Sequence, residues 1–226
     1  MSYIHLTSSC FSDVLGAHGL DRGRFNTILE STKPVLETLR VQHADGSLPL
    51  LCLPELADDI VALEPVAARY RDQFDDVVIL GTGGSSLGGQ TLCHLADVGF
   101  GPQAGAPSLH FFDNVDPHSI SVMLERLALE RTGFIVISKS GSTAETMTLF
   151  LVCLKAILAA VGKDKAADHF TAITEPGDNL LRRLADSHGM AVLDHDPGIG
   201  GRYSALSLVG LLPVMIAGLD AKAIRD

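Results

Sequence analysis

The chain has 226 residues, 46% of them hydrophobic, and a formal charge of −10. That length suffices for one large domain with a full core, and the composition excludes disordered and fibrous classes. The acidic balance argues against a nucleic-acid partner, whose binders present a basic face, but leaves room for a small phosphorylated ligand held by one local cluster.

Residues 1–74 are mostly helical in pattern. Arg22 to Leu39 places Phe25, Ile28, Leu29, Val35, Leu36 and Leu39 at helical spacing, with Pro34 as an internal break. Asp45-Gly46-Ser47 is a turn, Leu48 to Leu53 an apolar run closed by Pro54, and a second helix is expected from about Pro54 to Phe74. The first residues, Met1-Ser-Tyr-Ile-His5, lack the basic-then-apolar order of a secretory signal. Cys10, Cys52, Cys93 and Cys153 lie far apart without a Cys-x-x-Cys pair. A disulfide framework and a metal site are therefore not expected, and a cytoplasmic setting is.

From residue 75 strands and helices alternate. Val77–Leu80, Leu109–Phe112, Phe134–Ile137, His169–Thr174 and Met190–Leu193 read as strands. Helices are expected over Leu87–Ala96, after Asp116-Pro117, over Thr143–Val161, from about Asp178 to Ser187, and from about Ser204 to Ala217. On the long one, Met147, Phe150, Leu151, Leu154 and Leu158 follow core spacing. The uncharged run Tyr203–Leu219 contains Gly210 and Pro213 and falls short of the about 20 residues that span a bilayer, so it reads as a buried core helix. Continuous apolar strands alternating with helices predict an α/β fold, a roughly five-stranded parallel sheet covered on both faces. Ligands of such sheets bind beyond the carboxyl ends of the strands.

Three of the turns at that end can carry chemistry. Phe134-Ile-Val-Ile-Ser-Lys-Ser-Gly-Ser-Thr-Ala-Glu-Thr146 is a strand running through hydroxyls, one Lys and one Gly into a long apolar helix. Backbone N–H groups and the helix dipole at such a junction favour an anion, and phosphate is the obvious one. The competing reading is a capping box of Ser142 with Glu145, which explains one hydroxyl and leaves three. Gly81-Thr-Gly-Gly-Ser-Ser-Leu-Gly88 allows close backbone approach. Ser86 stands where a dinucleotide fingerprint needs Gly, and Gln90 where a P-loop needs Lys. Asp194-His-Asp-Pro-Gly-Ile-Gly-Gly-Arg-Tyr-Ser204 holds an Asp-His-Asp triplet whose neighbouring side chains diverge in an extended segment, which disfavours a shared metal. Its Arg202 opens an apolar helix and could meet an oxyanion with its planar fork of donors; a surface Arg is the alternative. The histidines at 94, 110, 118, 169 and 188 have no ligand spacing and read as structural.

Taken together, Leu80-Gly-Thr-Gly-Gly-Ser-Ser-Leu-Gly88, Ile137-Ser-Lys-Ser-Gly-Ser-Thr-Ala-Glu-Thr146 and Gly200-Gly-Arg-Tyr-Ser-Ala-Leu-Ser-Leu-Val-Gly-Leu-Leu-Pro213 strongly resemble the glucose-6-phosphate isomerase (phosphoglucose isomerase) family. The middle motif is shared more widely by sugar isomerase (SIS) domains; the Gly-Gly-Arg-Tyr-Ser stretch is far more specific. The resemblance covers roughly residues 75–220. It implies a three-layer SIS-type domain over 75–226, preceded by the helical segment 1–74, and the reversible interconversion of glucose 6-phosphate and fructose 6-phosphate in glycolysis and gluconeogenesis. It further implies no metal or organic cofactor and a homodimer at full length, while the acidic charge and the short uncharged run already argue against nucleic acid and membrane as partners. The family positions that hold the sugar phosphate fall on Gly84, Ser85, Ser138, Lys139 (through its backbone), Ser140 and Thr143, with Glu145 lining the site and Ser142 left as the cap. Arg202 matches the Arg that stabilises the enediolate. The family's proton-shuttling Glu, and its second SIS domain, fall beyond Asp226, so the chain is expected to be an N-terminal part without the catalytic base. A different SIS enzyme, a non-catalytic sugar-phosphate-binding regulator and a nucleotide-binding domain are the rival readings.

Overall fold

The computed structural model describes residues 4–96 and 102–225; Met1–Tyr3, part of the stretch read for a signal, lie outside them. Two compact units are present, one of residues up to Cys52 and one of Leu53–Arg225.

The first unit holds α1 (Ser12–Leu15), α2 (Arg22–Ser31), α3 (Lys33–Ala44) and α4 (Pro49–Cys52). Asp21 caps α2 by accepting from Arg24 N at 2.7 Å. The expected break near Pro34 falls at Thr32, which leaves Pro34 in the first turn of α3, where its missing N–H is harmless. Ser47 N donates to Asp45 Oδ1 at 2.8 Å and closes the expected turn. The edge of Phe25 meets Phe11 at 5.3 Å, with the Arg22 guanidinium 4.2 Å above the Phe11 ring.

The second unit runs α5 (Asp58–Gln73), β1 (Asp76–Leu80), α6 (Gly84–Ala96), β2 (Ser108–Phe112), α7 (Pro117–Arg126), β3 (Thr132–Ile137), α8 (Ala144–Val161), α9 (Lys163–Ala166), β4 (Phe170–Thr174), α10 (Leu180–His188), β5 (Ala191–Asp194), α11 (Leu208–Ile216) and α12 (Ala221–Arg225). Its strands lie in the order β2-β1-β3-β4-β5, every neighbour parallel. The α/β reading with a five-stranded parallel sheet therefore holds.

The pleat sorts the core into two layers, because alternate side chains leave opposite faces. Val78, Leu80, Phe134, Val136, Phe170 and Ala172 meet α7, α8 and α10 on one face. Val77, Ile79, Ile135, Ile137 and Ile173 meet α5, α6 and α11 on the other. Phe134 and Phe170 stack across β3 and β4 at 5.1 Å. All six β3 residues are buried, as a central strand covered on both sides demands.

Four details depart from expectation. The unit with the sheet starts at Leu53 rather than near residue 75, because α5 packs Leu63, Ala67 and Tyr70 beneath the sheet and Tyr70 Oη donates to Phe134 O at 2.8 Å. The last long helix is two elements: a 3-10 stretch, Gly201–Leu206, and α11, restarted by Ser207, whose hydroxyl accepts from Val209 N at 3.3 Å. Leu151 on α8 is 49% exposed, while Met147, Phe150 and Leu154 are buried. Ala221–Arg225 adds a short helix not anticipated. α8 is long and apolar enough to cross a membrane, yet it packs Met147, Leu149, Phe150, Cys153, Leu154 and Ile157 into the core above the sheet.

Candidate active site

The strand order itself locates the site. β1 sends its chain outward to β2 on one side, and the chain then returns to place β3 on the other, so the connections after β1 and β3 diverge and open a crevice at their carboxyl ends. The glycine turn follows β1 and the hydroxyl turn follows β3. The two stretches singled out by composition therefore flank one switch point.

At the first turn Gly81 N donates to Phe112 O at 3.2 Å, and Ser85 N to Thr82 O at 3.2 Å, so the chain folds tightly before α6 begins at Gly84. Gly84 has a specific need for its missing side chain. A Cβ there would lie 1.9 Å from Gly201 O and 3.1 Å from Arg202 N. Ser204 Oγ reinforces the approach by donating to Gly201 O at 2.8 Å and lying 3.4 Å from Gly84 O. The start of α6, with Gly84 and Ser85, and the turn carrying Arg202 are thus in backbone contact although 118 residues separate 84 from 202 in sequence, the difference of the two numbers. Arg202 is exposed and, among the described residues, its side chain makes no hydrogen bond or ion pair. Its guanidinium is free to meet an incoming anion.

The hydroxyl turn is pinned from the opposite side. Gly141 N donates to Ser138 O at 3.0 Å and Leu181 N to Gly141 O at 2.9 Å. Gly141 has φ +64°, and a Cβ on it would lie 1.9 Å from Asn179 Oδ1. Asn179 is doubly used, since the same oxygen caps α10 by accepting from Arg182 N at 3.0 Å. Ser138 is buried, and its hydroxyl lies 3.1 Å from Thr143 Oγ1. Ser140 is exposed and accepts from the Ser142 hydroxyl at 3.2 Å.

The capping box of Ser142 and Glu145 is not formed. α8 starts one residue later than that reading requires, with Thr143 as its N-cap residue and no side-chain cap bond. Adjacent hydroxyls are equally good caps by sequence, and the Ser138–Thr143 pairing decides the frame. Glu145 is exposed in the first turn of α8.

Lys139 meets the end of β4 and the turn after it through both its carbonyl and its ammonium, and the turn after β5 through its ammonium. Its carbonyl accepts from Glu175 N at 3.0 Å and from Thr174 Oγ1 at 3.2 Å. Its Nζ lies 3.2 Å from Glu175 Oε1 and donates to Pro197 O at 2.9 Å. Nothing local in sequence links residues 139, 175 and 197, so this clasp is not legible in residue order.

The Asp-His-Asp triplet is dispersed as its extended geometry suggested. Asp194 pairs with Arg182, Asp196 Oδ1 accepts from Gly198 N at 2.7 Å, and His195 Nδ1 lies 2.7 Å from Asp196 O. A carbonyl can only accept, so Nδ1 carries the proton. His195 is buried, which pushes its pKa below the ordinary 6.5; Lys139 acts in the same direction, and the Asp196 carbonyl and the Glu175 and Asp196 charges oppose it. Among the described residues no group of three His, Cys, Asp or Glu side chains could hold a metal ion.

Comparison with known proteins relates the chain to a known family. The phosphoglucose isomerase family profile matches residues 59–222. The chain is 40% identical over 176 residues to a glucose-6-phosphate isomerase of Rubrobacter xylanophilus, covering 76% of this chain and 41% of that one. Among solved structures it resembles a hypothetical protein of Thermus thermophilus, with a TM-score of 0.72 and 33% identity, covering 90% of this chain and 49% of that one. It also resembles a glucose-6-phosphate isomerase of Chlamydia trachomatis, with a TM-score of 0.63 and 28% identity over 74% of this chain and 31% of that one. The chain spans less than half the length of the curated relatives it matches.

Proposed function

Since the chain belongs to the phosphoglucose isomerase family, we propose that it is the sugar-phosphate-binding part of a glucose-6-phosphate isomerase, acting in glycolysis and gluconeogenesis in the cytoplasm. One observation carries the reading: the backbone contact of Gly84 with Gly201, which sets an unpaired Arg202 beside the start of α6 at the sheet's switch point.

In this reading the 6-phosphate of a hexose occupies the hydroxyl turn. Ser138, Ser140 and Thr143 donate hydroxyl protons, Lys139 contributes its backbone N–H, and the positive end of the α8 dipole lies behind them. Gly84 and Ser85 hold the sugar phosphate from the other side of the crevice, and Glu145 lines it. Opening the sugar and moving a proton between C1 and C2 creates an enediolate, and Arg202 stabilises its oxygen charge. A guanidinium suits that role because it stays ionised and offers parallel donors. Proton transfer is assigned to no residue of this chain. Glu175 is engaged by Lys139, and the base is proposed to come from sequence beyond residue 226, as is the dimeric assembly of the longer protein.

Calorimetric titration with fructose 6-phosphate, inorganic phosphate and ATP tests the binding reading, and a coupled isomerase assay compares this polypeptide with one extended past Asp226. Hexose-phosphate binding by both, with turnover confined to the longer one, is expected. Preference for ATP overturns the substrate reading, and equal turnover overturns the assignment of the base.

A further inference from the structure

We propose that Lys139 and Glu175 form a positioning pair that sets the Arg202 turn in register with the hydroxyl turn; this rests on the hexose-phosphate reading above. A lysine within an anion-binding turn is ordinarily expected to aim its ammonium at the anion. Here the ammonium donates to Pro197 O at 2.9 Å and is ion-paired with Glu175, its Nζ lying 3.2 Å from Oε1. The pair is about two-thirds buried, with side-chain exposures of 30% for Lys139 and 31% for Glu175.

Pro197 matters because it leads directly into the Arg202 turn. Ile199 N donates to Asp196 O at 3.1 Å and Tyr203 N to Gly200 O at 2.8 Å, so two hydrogen-bonded turns, 196–199 and 200–203, follow each other directly. Ile199 is buried at 3% exposure and anchors the middle. A displacement at Pro197 is therefore passed along to Arg202. Glu175 is itself held: its carbonyl accepts from Asn179 Nδ2 and Arg182 Nη2, each at 3.1 Å, and Arg182 also pairs with Asp194 at the end of β5. The turns after β3, β4 and β5 are thus joined through Lys139. Among the described residues the Arg202 side chain has no partner that would fix it, so its aim depends on where its backbone is held.

The test uses the whole chain and the variants Lys139→Met, Glu175→Gln, Arg202→Ala and the Lys139→Met/Arg202→Ala double variant. Each is titrated with fructose 6-phosphate and with inorganic phosphate, and amide hydrogen exchange is followed over residues 197–203. Lys139→Met is expected to weaken fructose 6-phosphate about tenfold and phosphate clearly less, with Glu175→Gln following in the same order. In the Arg202→Ala background, Lys139→Met should add little, since the pair acts through Arg202. Exchange over 197–203 should quicken in both single variants without any ligand. Equal weakening of the two ligands, additive losses, or unchanged exchange would each overturn the pair's role. If the unaltered chain binds neither ligand, the hexose-phosphate reading fails, and the exchange measurement still decides whether the pair holds the turn. Glu175→Gln keeps the test available if Lys139→Met does not fold.

Discussion

Gly84 and Gly201 approach so closely that a single methyl group on residue 84 would lie 1.9 Å from the Gly201 carbonyl oxygen. The obstacle is backbone, which cannot swing aside as a long side chain can. Gly84→Ala is expected to separate the start of α6 from the Arg202 turn, lowering stability by about 1–3 kcal/mol through overpacking and weakening fructose 6-phosphate binding. Thermal melts and calorimetry on the same preparation check both. A variant that melts normally and binds normally would show that the contact has no role in the site.

The hydroxyl turn makes a narrower prediction. Ser140→Ala combined with Thr143→Ala should weaken hexose-phosphate binding by roughly 1–3 kcal/mol for each charge-assisted bond lost. Circular dichroism should remain unchanged, because Thr143 does not cap α8 with its side chain. Unaltered affinity in calorimetry would return these hydroxyls to a purely structural role.

Arg225 is a buried charge in the sheet unit, its side chain 1% exposed, and Asp59 receives its Nη1 and Nη2 at 2.8 and 2.6 Å. The same guanidinium donates to Leu56 O and Leu206 O, so it ties α5 to the end of the Arg202 turn. Asp59→Ala would leave that charge buried without its counterion and should cost about 3–5 kcal/mol in urea unfolding. The Arg225 pairing holds the Asp59 carboxyl below its ordinary 3.8. Its stabilisation is complete above that value and is lost as pH falls through the lower folded-state value, so Asp59→Asn should flatten the acid limb of a stability profile.

His195 predicts a second, milder pH dependence with its own window. Burial depresses its folded pKa below 6.5, so the unfolded chain takes up a proton first as pH falls. The contribution is fully present above about 6.5 and declines as pH drops from there toward the folded value. Urea midpoints measured between about pH 5 and 8 should slope downward on the acid side in the unaltered chain and less so in His195→Gln. Identical slopes would contradict a buried neutral imidazole.

Much of the fold could be read from residue order because its determinants are local. Val77–Leu80 and Phe134–Ile137 are short, wholly apolar and bounded by glycine or hydroxyl turns, which leaves little alternative to buried parallel strands. The three turns could be read for the same reason, each being a run of uncommon residue types at a strand end. What residue order does not disclose depends on side-chain partners, some near in sequence and some distant. Ser142 and Thr143 are indistinguishable as caps until Ser138 claims the Thr143 hydroxyl. The placement of α5 with the sheet rests on Tyr70 reaching Phe134 O, and the Lys139 clasp on residues 36 and 58 positions further along, by subtraction of the numbers. Ser207 stands ahead of an apolar run inside the uncharged stretch from Tyr203, which by composition alone reads as one helix.

The start of α8 has a consequence for the protein as a folded object. Asp116 caps α7 and Asn179 caps α10, each giving a side-chain oxygen to the first-turn amides, whereas Thr143 turns its hydroxyl to Ser138. The 18-residue helix that roofs the sheet therefore begins without a cap of its own. A bound phosphate would do for α8 what a carboxylate does for α7, completing the hydrogen bonding of its first turn. A sugar phosphate bound as proposed would then be a structural part of the fold, and at about a hundred times its Kd it would add roughly 2.7 kcal/mol to folding. The hydroxyl turn would thereby report ligand supply as stability.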